Sequence, residues 1–188
     1  MRIIAGKYRG RRLKSPPSQR TRPTSDRLRE TLFNILAPRI AGARFLDLCA
    51  GSGAVGIEAV SRGAEHVTFV DQSQRMRTLI QANLEALQVD PDRADNVKAD
   101  AAQFLRLLVR QDIKPFDIVF FDPPYAEDYE TVLNDIGNHA AGVLSKKGIL
   151  VVEHSSRKNL NEQFGTLARY RELKQGDSTL SFYRHTAA

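Results

Sequence analysis

The sequence has 188 residues with 41% hydrophobic and 27% charged side chains, enough for one full domain and a composition that excludes wholesale disorder, collagen-like repeats and coiled-coil rods. One cysteine, Cys49, excludes an intramolecular disulfide and a thiolate-rich zinc site, and no apolar run approaches the roughly 18 residues of a membrane span. The net charge of +6 is uneven: residues 1–30 hold ten Lys and Arg against Asp26 and Glu30, so the remaining residues sum to −2.

A near-neutral globule with a cationic end is the footprint of a polyanion binder, because each neutralised phosphate releases condensed counterions. Arg2, Lys7, Arg9, Arg11, Arg12, Lys14, Arg20 and Arg22 are the candidate nucleic-acid-binding cations. Ile3, Ile4, Tyr8 and Leu13 interleave with them, and Gly6 and Gly10 can turn a short β-hairpin. Arg11-Arg12 has no apolar stretch behind it, so a secretory reading fails and a cytoplasmic, soluble chain is expected.

Next in order, residues 24–36 place Leu28, Leu32, Ile35 and Leu36 on one helical stripe, with Thr24 or Ser25 as cap and Pro38 as the stop. The rhythm then changes. Strands are expected at 43–48, 66–71, 96–100, 116–122 and 148–154, and helices at 54–63, 74–88, 102–111 and 129–140. That alternation predicts an α/β fold: a parallel, doubly wound, Rossmann-like sheet with helices on both faces. Residues 167–174 and 178–185 alternate at period two across Gly176-Asp177, which predicts an antiparallel C-terminal hairpin. One domain over 1–188 is expected, with 1–22 as a basic nucleic-acid-binding extension and 23–188 as the core.

The first strand runs into Gly51-Ser52-Gly53-Ala54-Val55-Gly56, a G-x-G-x-x-G between strand and helix, and Asp71 ends the second strand twenty residues after Gly51. Glycines at such a turn let backbone approach a ligand, and an acid there can accept from both hydroxyls of a ribose. The pattern fits a nicotinamide dinucleotide as well as S-adenosylmethionine. Asp47 helps to separate them: a carboxylate at this strand end attracts an ammonium and repels a pyrophosphate, or else braces the loop. Asp100 ends the third strand before Ala101; it is placed to bond an adenine amino group or to cap the next helix.

Asp122-Pro123-Pro124-Tyr125 follows the fourth strand. Two prolines fix backbone angles and remove two N–H donors, leaving the Asp122 and Pro123 carbonyls rigid acceptors. Such a loop can grip an exocyclic NH2 with the Asp122 carboxylate and a backbone carbonyl while Tyr125 stacks on an unstacked or flipped base. An aromatic amine is a poor nucleophile, and holding its lone pair in line with a sulfonium methyl supplies much of the acceleration. The tetrad does not by itself choose between guanine in RNA and adenine in DNA. An oxidoreductase of the same topology and a non-catalytic RNA-binding factor are the rival classes.

Residues 46–59 (LDLCAGSGAVGIEA), the D-P-P-Y tetrad, 22–36 (RPTSDRLRETLFNIL) and 2–16 (RIIAGKYRGRRLKSP) together resemble the RsmD family of class I S-adenosylmethionine-dependent methyltransferases. The resemblance covers essentially the whole chain. It implies S-adenosyl-L-methionine as methyl donor, S-adenosyl-L-homocysteine as product, no metal, and the N2 amino group of one guanine (966) of 16S rRNA, within the 30S subunit or a late assembly intermediate, as target. It places Asp47, Gly51, Gly53, Asp71, Asp100 and Ala101 in the cofactor site, with Pro23, Thr24 and Arg27 near its methionine end. Asp122, Pro123, Pro124 and Tyr125 become the catalytic loop. No protein partner is evident and a monomer is expected.

His66, His139, His154 and His185 lack metal-ligand spacing and read as solvated or structural, His154 standing nearest the ligand edge. Cys49 reads as loop packing. Glu127, Asp128 and Glu130 read as a solvated helix start.

Overall fold

The computed structural model describes residues 1–15, 25–111, 113–123 and 129–186. After α1 (Asp26–Ile40) the chain alternates through β1 (Arg44–Leu48), α2 (Ala54–Ser61), β2 (His66–Asp71), α3 (Gln74–Ala86), β3 (Ala94–Lys98), α4 (Ala101–Arg110), β4 (Phe116–Phe121), α5 (Tyr129–Asn138), α6 (Ala140–Val143) and β5 (Leu144–Ser155). It ends in β6 (Gln163–Phe164), β7 (Leu167–Gln175) and β8 (Ser178–His185). Among the described residues these strands form one sheet, ordered β3-β2-β1-β4-β5-β8-β7-β6. β1 to β5 run parallel, whereas β8 pairs antiparallel with both β5 and β7. The expected parallel core and antiparallel hairpin are both present, and the last strand inserts between β5 and its own hairpin partner.

Side-chain alternation along the strands makes two cores. Phe45, Val67, Phe69, Ile118, Phe120 and Val151 pack under α1, α2 and α3. Leu46, Leu48, Val119, Phe121, Leu150 and Val152 pack under α4, α5 and α6. The central strands are buried on both faces, which is why they read as unbroken apolar runs.

Several boundaries differ from expectation. Pro38 does not stop α1, which runs through it to Ile40. A proline near a helix end costs one backbone bond, and here Ile40 is buried while Arg39 donates from Nη1 to the Lys147 carbonyl at 3.0 Å. Ser25, not Thr24, is the cap: its hydroxyl accepts from the Leu28 N–H at 3.1 Å, and residue 24 lies outside the described residues. β3 begins two residues early, at Ala94, because this edge strand is only partly buried and carries little apolar signal. β5 starts four residues before Gly148. The expected N-terminal hairpin is present as a short antiparallel pair: an Arg2–Arg12 bridge flanked by the Leu13 N–H on the Met1 carbonyl at 3.1 Å and the Ile3 N–H on the Arg11 carbonyl at 3.0 Å.

Candidate active site

The strand order reverses between β1 and β4, so the loops leaving their carboxyl ends diverge to opposite faces and open a crevice. Leu48 pairs with Phe121, and the Asp122 N–H donates to the Leu48 carbonyl at 3.3 Å. The first residue of the proline loop therefore stands about 4.8 Å, one strand spacing, from the chain entering the glycine loop.

That loop is made of left-handed steps: φ is 66° at Cys49, 53° at Gly51 and 75° at Gly53. Cys49 adopts there a conformation that favours glycine. A Cβ at Gly53 would also lie 2.9 Å from Ile80 Cγ1. The loop is tied to its neighbours by Ala50 N–H to the Val70 carbonyl at 2.9 Å and by Asp71, whose Oδ2 accepts from the Gly51 N–H and Oδ1 from the Ser73 N–H, both at 2.8 Å. Asp47 Oδ2 accepts from the Gly56 N–H at 2.8 Å and its residue is 2% exposed, the bracing arrangement that sequence left as an alternative. Burial first, and the nearby Asp71 charge after it, push Asp47 up to about 7 against the opposing Gly56 hydrogen bond.

Asp100 is exposed and caps α4, its Oδ1 accepting from the Ala102 and Gln103 N–H groups at 3.0 and 3.2 Å. Ala101, the first residue of α4, is buried. Arg27 is exposed in the first turn of α1. Asp122 is half-buried and Pro123 buried, while Pro124 and Tyr125, like Pro23, Thr24, Arg20 and Arg22, lie outside the described residues, as do Glu127 and Asp128.

Two residues that sequence reasoning missed meet the start of the proline loop. Tyr129, 1% exposed, donates from its hydroxyl to the Pro123 carbonyl at 3.2 Å, and Lys158 Nζ stands 3.7 Å from its ring centroid. A tyrosine seven residues after Asp122 was the available signal.

The cationic N-terminal segment is docked, not loose. Ile3, Tyr8 and Leu13 are buried in the core beneath α1, α2 and α3, while Arg2, Lys7, Arg9, Arg11, Arg12 and Lys14 are exposed. Glu58 of α2, fully buried, accepts from the Ile4 and Ala5 N–H groups at 2.8 and 3.0 Å and from Arg62 Nε at 2.7 Å. The Ser61 hydroxyl accepts from the Tyr8 N–H at 3.0 Å and donates to the Ala5 carbonyl at 2.6 Å. Asn83 of α3 accepts from the Lys14 N–H at 2.8 Å. An acid amid the apolar run of α2 is a legible sign that something polar must reach it. Arg29 is fully buried, donating to the Arg2 carbonyl at 2.7 Å, so it leaves the pool of presented cations.

His154 is 2% exposed, with Nδ1 3.0 Å from the Ser155 carbonyl and Nε2 2.9 Å from the Ser181 hydroxyl. Burial lowers its pKa, which favours the neutral ring. Among the described residues no three His, Cys, Asp or Glu side chains gather as a metal-holding group, and no helix is long and apolar enough to cross a membrane.

Residues 1–184 match the family described as Conserved hypothetical protein 95. The chain is 36% identical to Ribosomal RNA small subunit methyltransferase D of Escherichia coli (strain K12), covering all of this chain and 91% of that one. The solved structure of hypothetical protein TTHA0928 from Thermus thermophilus superposes with a TM-score of 0.82 at 31% identity, covering 99% of both chains. SMU.776, solved in complex with SAH, superposes at 0.66 over 82% of this chain and 49% of its own; at 19% identity that likeness concerns the fold alone.

Proposed function

The chain belongs to the Conserved hypothetical protein 95 family, the family of the RsmD methyltransferases, and we propose that it transfers a methyl group from S-adenosyl-L-methionine to the N2 amino group of one guanine of 16S rRNA, on the 30S subunit or a late assembly intermediate. The observation that carries the reading is the seam between β1 and β4, where the Asp122 N–H on the Leu48 carbonyl sets the proline loop against the glycine loop.

The donor set fits this cofactor. Carboxylates stand at the end of β2, just past β3 and just past β4, at Asp71, Asp100 and Asp122, a constellation that repels a pyrophosphate and attracts a cation, while buried Asp47 braces the loop between them through the Gly56 N–H. Asp71 has one backbone donor on each oxygen, and a carboxylate offers about four acceptor sites, so capacity remains for ribose hydroxyls. Asp100 and Ala101 border the adenine, and Thr24 and Arg27 the methionine end. When bound, the cofactor supplies a methyl group on an electron-poor sulfur. Asp122 accepts from one N–H of the target amine and the Pro123 carbonyl from the other, which turns the nitrogen lone pair toward the methyl. Pro124 keeps that carbonyl rigid, and Tyr125 stacks on the base. Proximity and alignment then supply most of the rate, and the proton leaves readily after transfer because the methylated nitrogen is acidic.

The exposed cations of residues 2–14, with Arg20 and Arg22, bind rRNA phosphates. The test is tritium transfer from S-adenosyl-L-methionine to 30S subunits from cells lacking this methylation. Wild-type protein should label the rRNA and Asp122→Ala should reduce the rate at least about a hundredfold; full activity in that variant overturns the mechanism.

A further inference from the structure

We propose that Tyr129 is a positioning residue for the methyl-transfer loop: its phenol holds the Pro123 carbonyl so that the second lone pair of that oxygen is presented to the target amine. The inference rests on the methyltransferase reading above.

Tyr129 opens α5, and its hydroxyl reaches back six residues to the Pro123 carbonyl at 3.2 Å. Its ring meets Phe121 edge-on, with centroids 6.1 Å apart and planes at 63°. One side chain therefore touches both sequence neighbours of Asp122. From the turn just past β5, the strand beside β4, Lys158 places its ammonium 3.7 Å from the ring centroid. Packing on Phe121 and under an ammonium requires only an aromatic ring. The hydroxyl is the additional element, and in a residue 1% exposed it is spent on the backbone oxygen that the mechanism needs. A carbonyl has two lone pairs, so the phenol fixes the direction of the group without exhausting it. Pro123 has no N–H, and its carbonyl is followed by a proline, so this contact supplies an orientation that a backbone ladder cannot.

The test is Tyr129→Phe, which keeps the ring. Rates are normalised to functional S-adenosyl-L-methionine sites counted by calorimetry, so loss of folded protein does not register. With methylation-deficient 30S subunits, kcat per site should fall roughly three- to tenfold, the worth of one hydrogen bond. KM for the subunits and Kd for the cofactor should stay within about twofold, because the contact acts on orientation and not on ground-state binding. Hydrogen exchange at the Asp122 amide should quicken. Unchanged kcat per site, with methylation intact in the wild type, overturns the positioning role and leaves the methyltransferase reading standing. Should the wild type methylate no nucleic acid, that reading fails by itself, and exchange at Asp122 alone decides: unchanged exchange in the variant overturns the inference.

Discussion

Asp47 and Tyr129 show how side chains at a ligand edge are held by the fold before any ligand is considered. Asp47 titrates near 3.8 when unperturbed and is pushed up to about 7 in the folded protein, by burial foremost. Between those values the native state keeps a proton that the unfolded chain has released, so this group's contribution to stability is full below about pH 4 and is lost as pH rises through 7. Asp47→Asn removes that dependence. Urea denaturation at pH 5 and pH 8 should show the variant gaining on wild type at the higher pH, and a constant difference between the two would contradict the assignment. The sequence showed the acid and its two readings, but burial and the Gly56 N–H that selects bracing are tertiary facts. Asp100 likewise turns out as a helix cap, and a cap and an adenine contact present the same letter at the same place.

At the scale of elements, the apolar runs of β1, β2 and β4 were readable because both faces of those strands are buried; the hairpin of β7 and β8 was readable from its period-two sequence across Gly176-Asp177, although β8 is buried on both faces from Thr179 to Tyr183 and β7 is exposed or half-buried past Leu167. β3 was displaced and β6, two residues long, was not seen, since an exposed edge strand and a two-residue pair carry almost no hydrophobic signal. The N-terminal segment presents its cations as the charge pattern suggested, on a backbone fastened to α2 through Glu58 and Ser61 and to α3 through Asn83, anchors that the sequence did not show. Gly6, at φ 83°, lies so close to the Ser61 backbone that a Cβ there would collide with its carbonyl. Glu58→Ala removes the acceptor of the Ile4 and Ala5 N–H groups and of Arg62 Nε, and leaves buried Arg29 with Asp26 as its carboxylate partner; it should cost on the order of 3 kcal/mol, a fall of about 6–12 °C in Tm. Calorimetry checks the value; a loss under about 1 kcal/mol would mean that this anchor is replaceable.

The whole molecule is a mixed sheet with a glycine loop and a proline loop at one edge and a cationic strip fixed along α2 and α3. Fastening the strip to the helix that follows the glycine loop sets the distance between the exposed cations and the carboxyl edge of the sheet. Charge reversal at Arg9, Arg11 and Arg12, all exposed, should weaken rRNA binding and flatten the log–log salt dependence by about 2–3, close to one unit per lost phosphate contact. Binding measured across a salt series checks this, and an unchanged slope would place the RNA elsewhere. The most direct measurement for the account as a whole is mass spectrometry of nucleosides from 30S rRNA incubated with the protein and S-adenosyl-L-methionine bearing a deuterated methyl group. The account predicts one labelled N2-methylguanosine per 16S rRNA, absent with Asp122→Ala. Label on a ring carbon, a ribose oxygen or another base, or equal labelling by the variant, would contradict it.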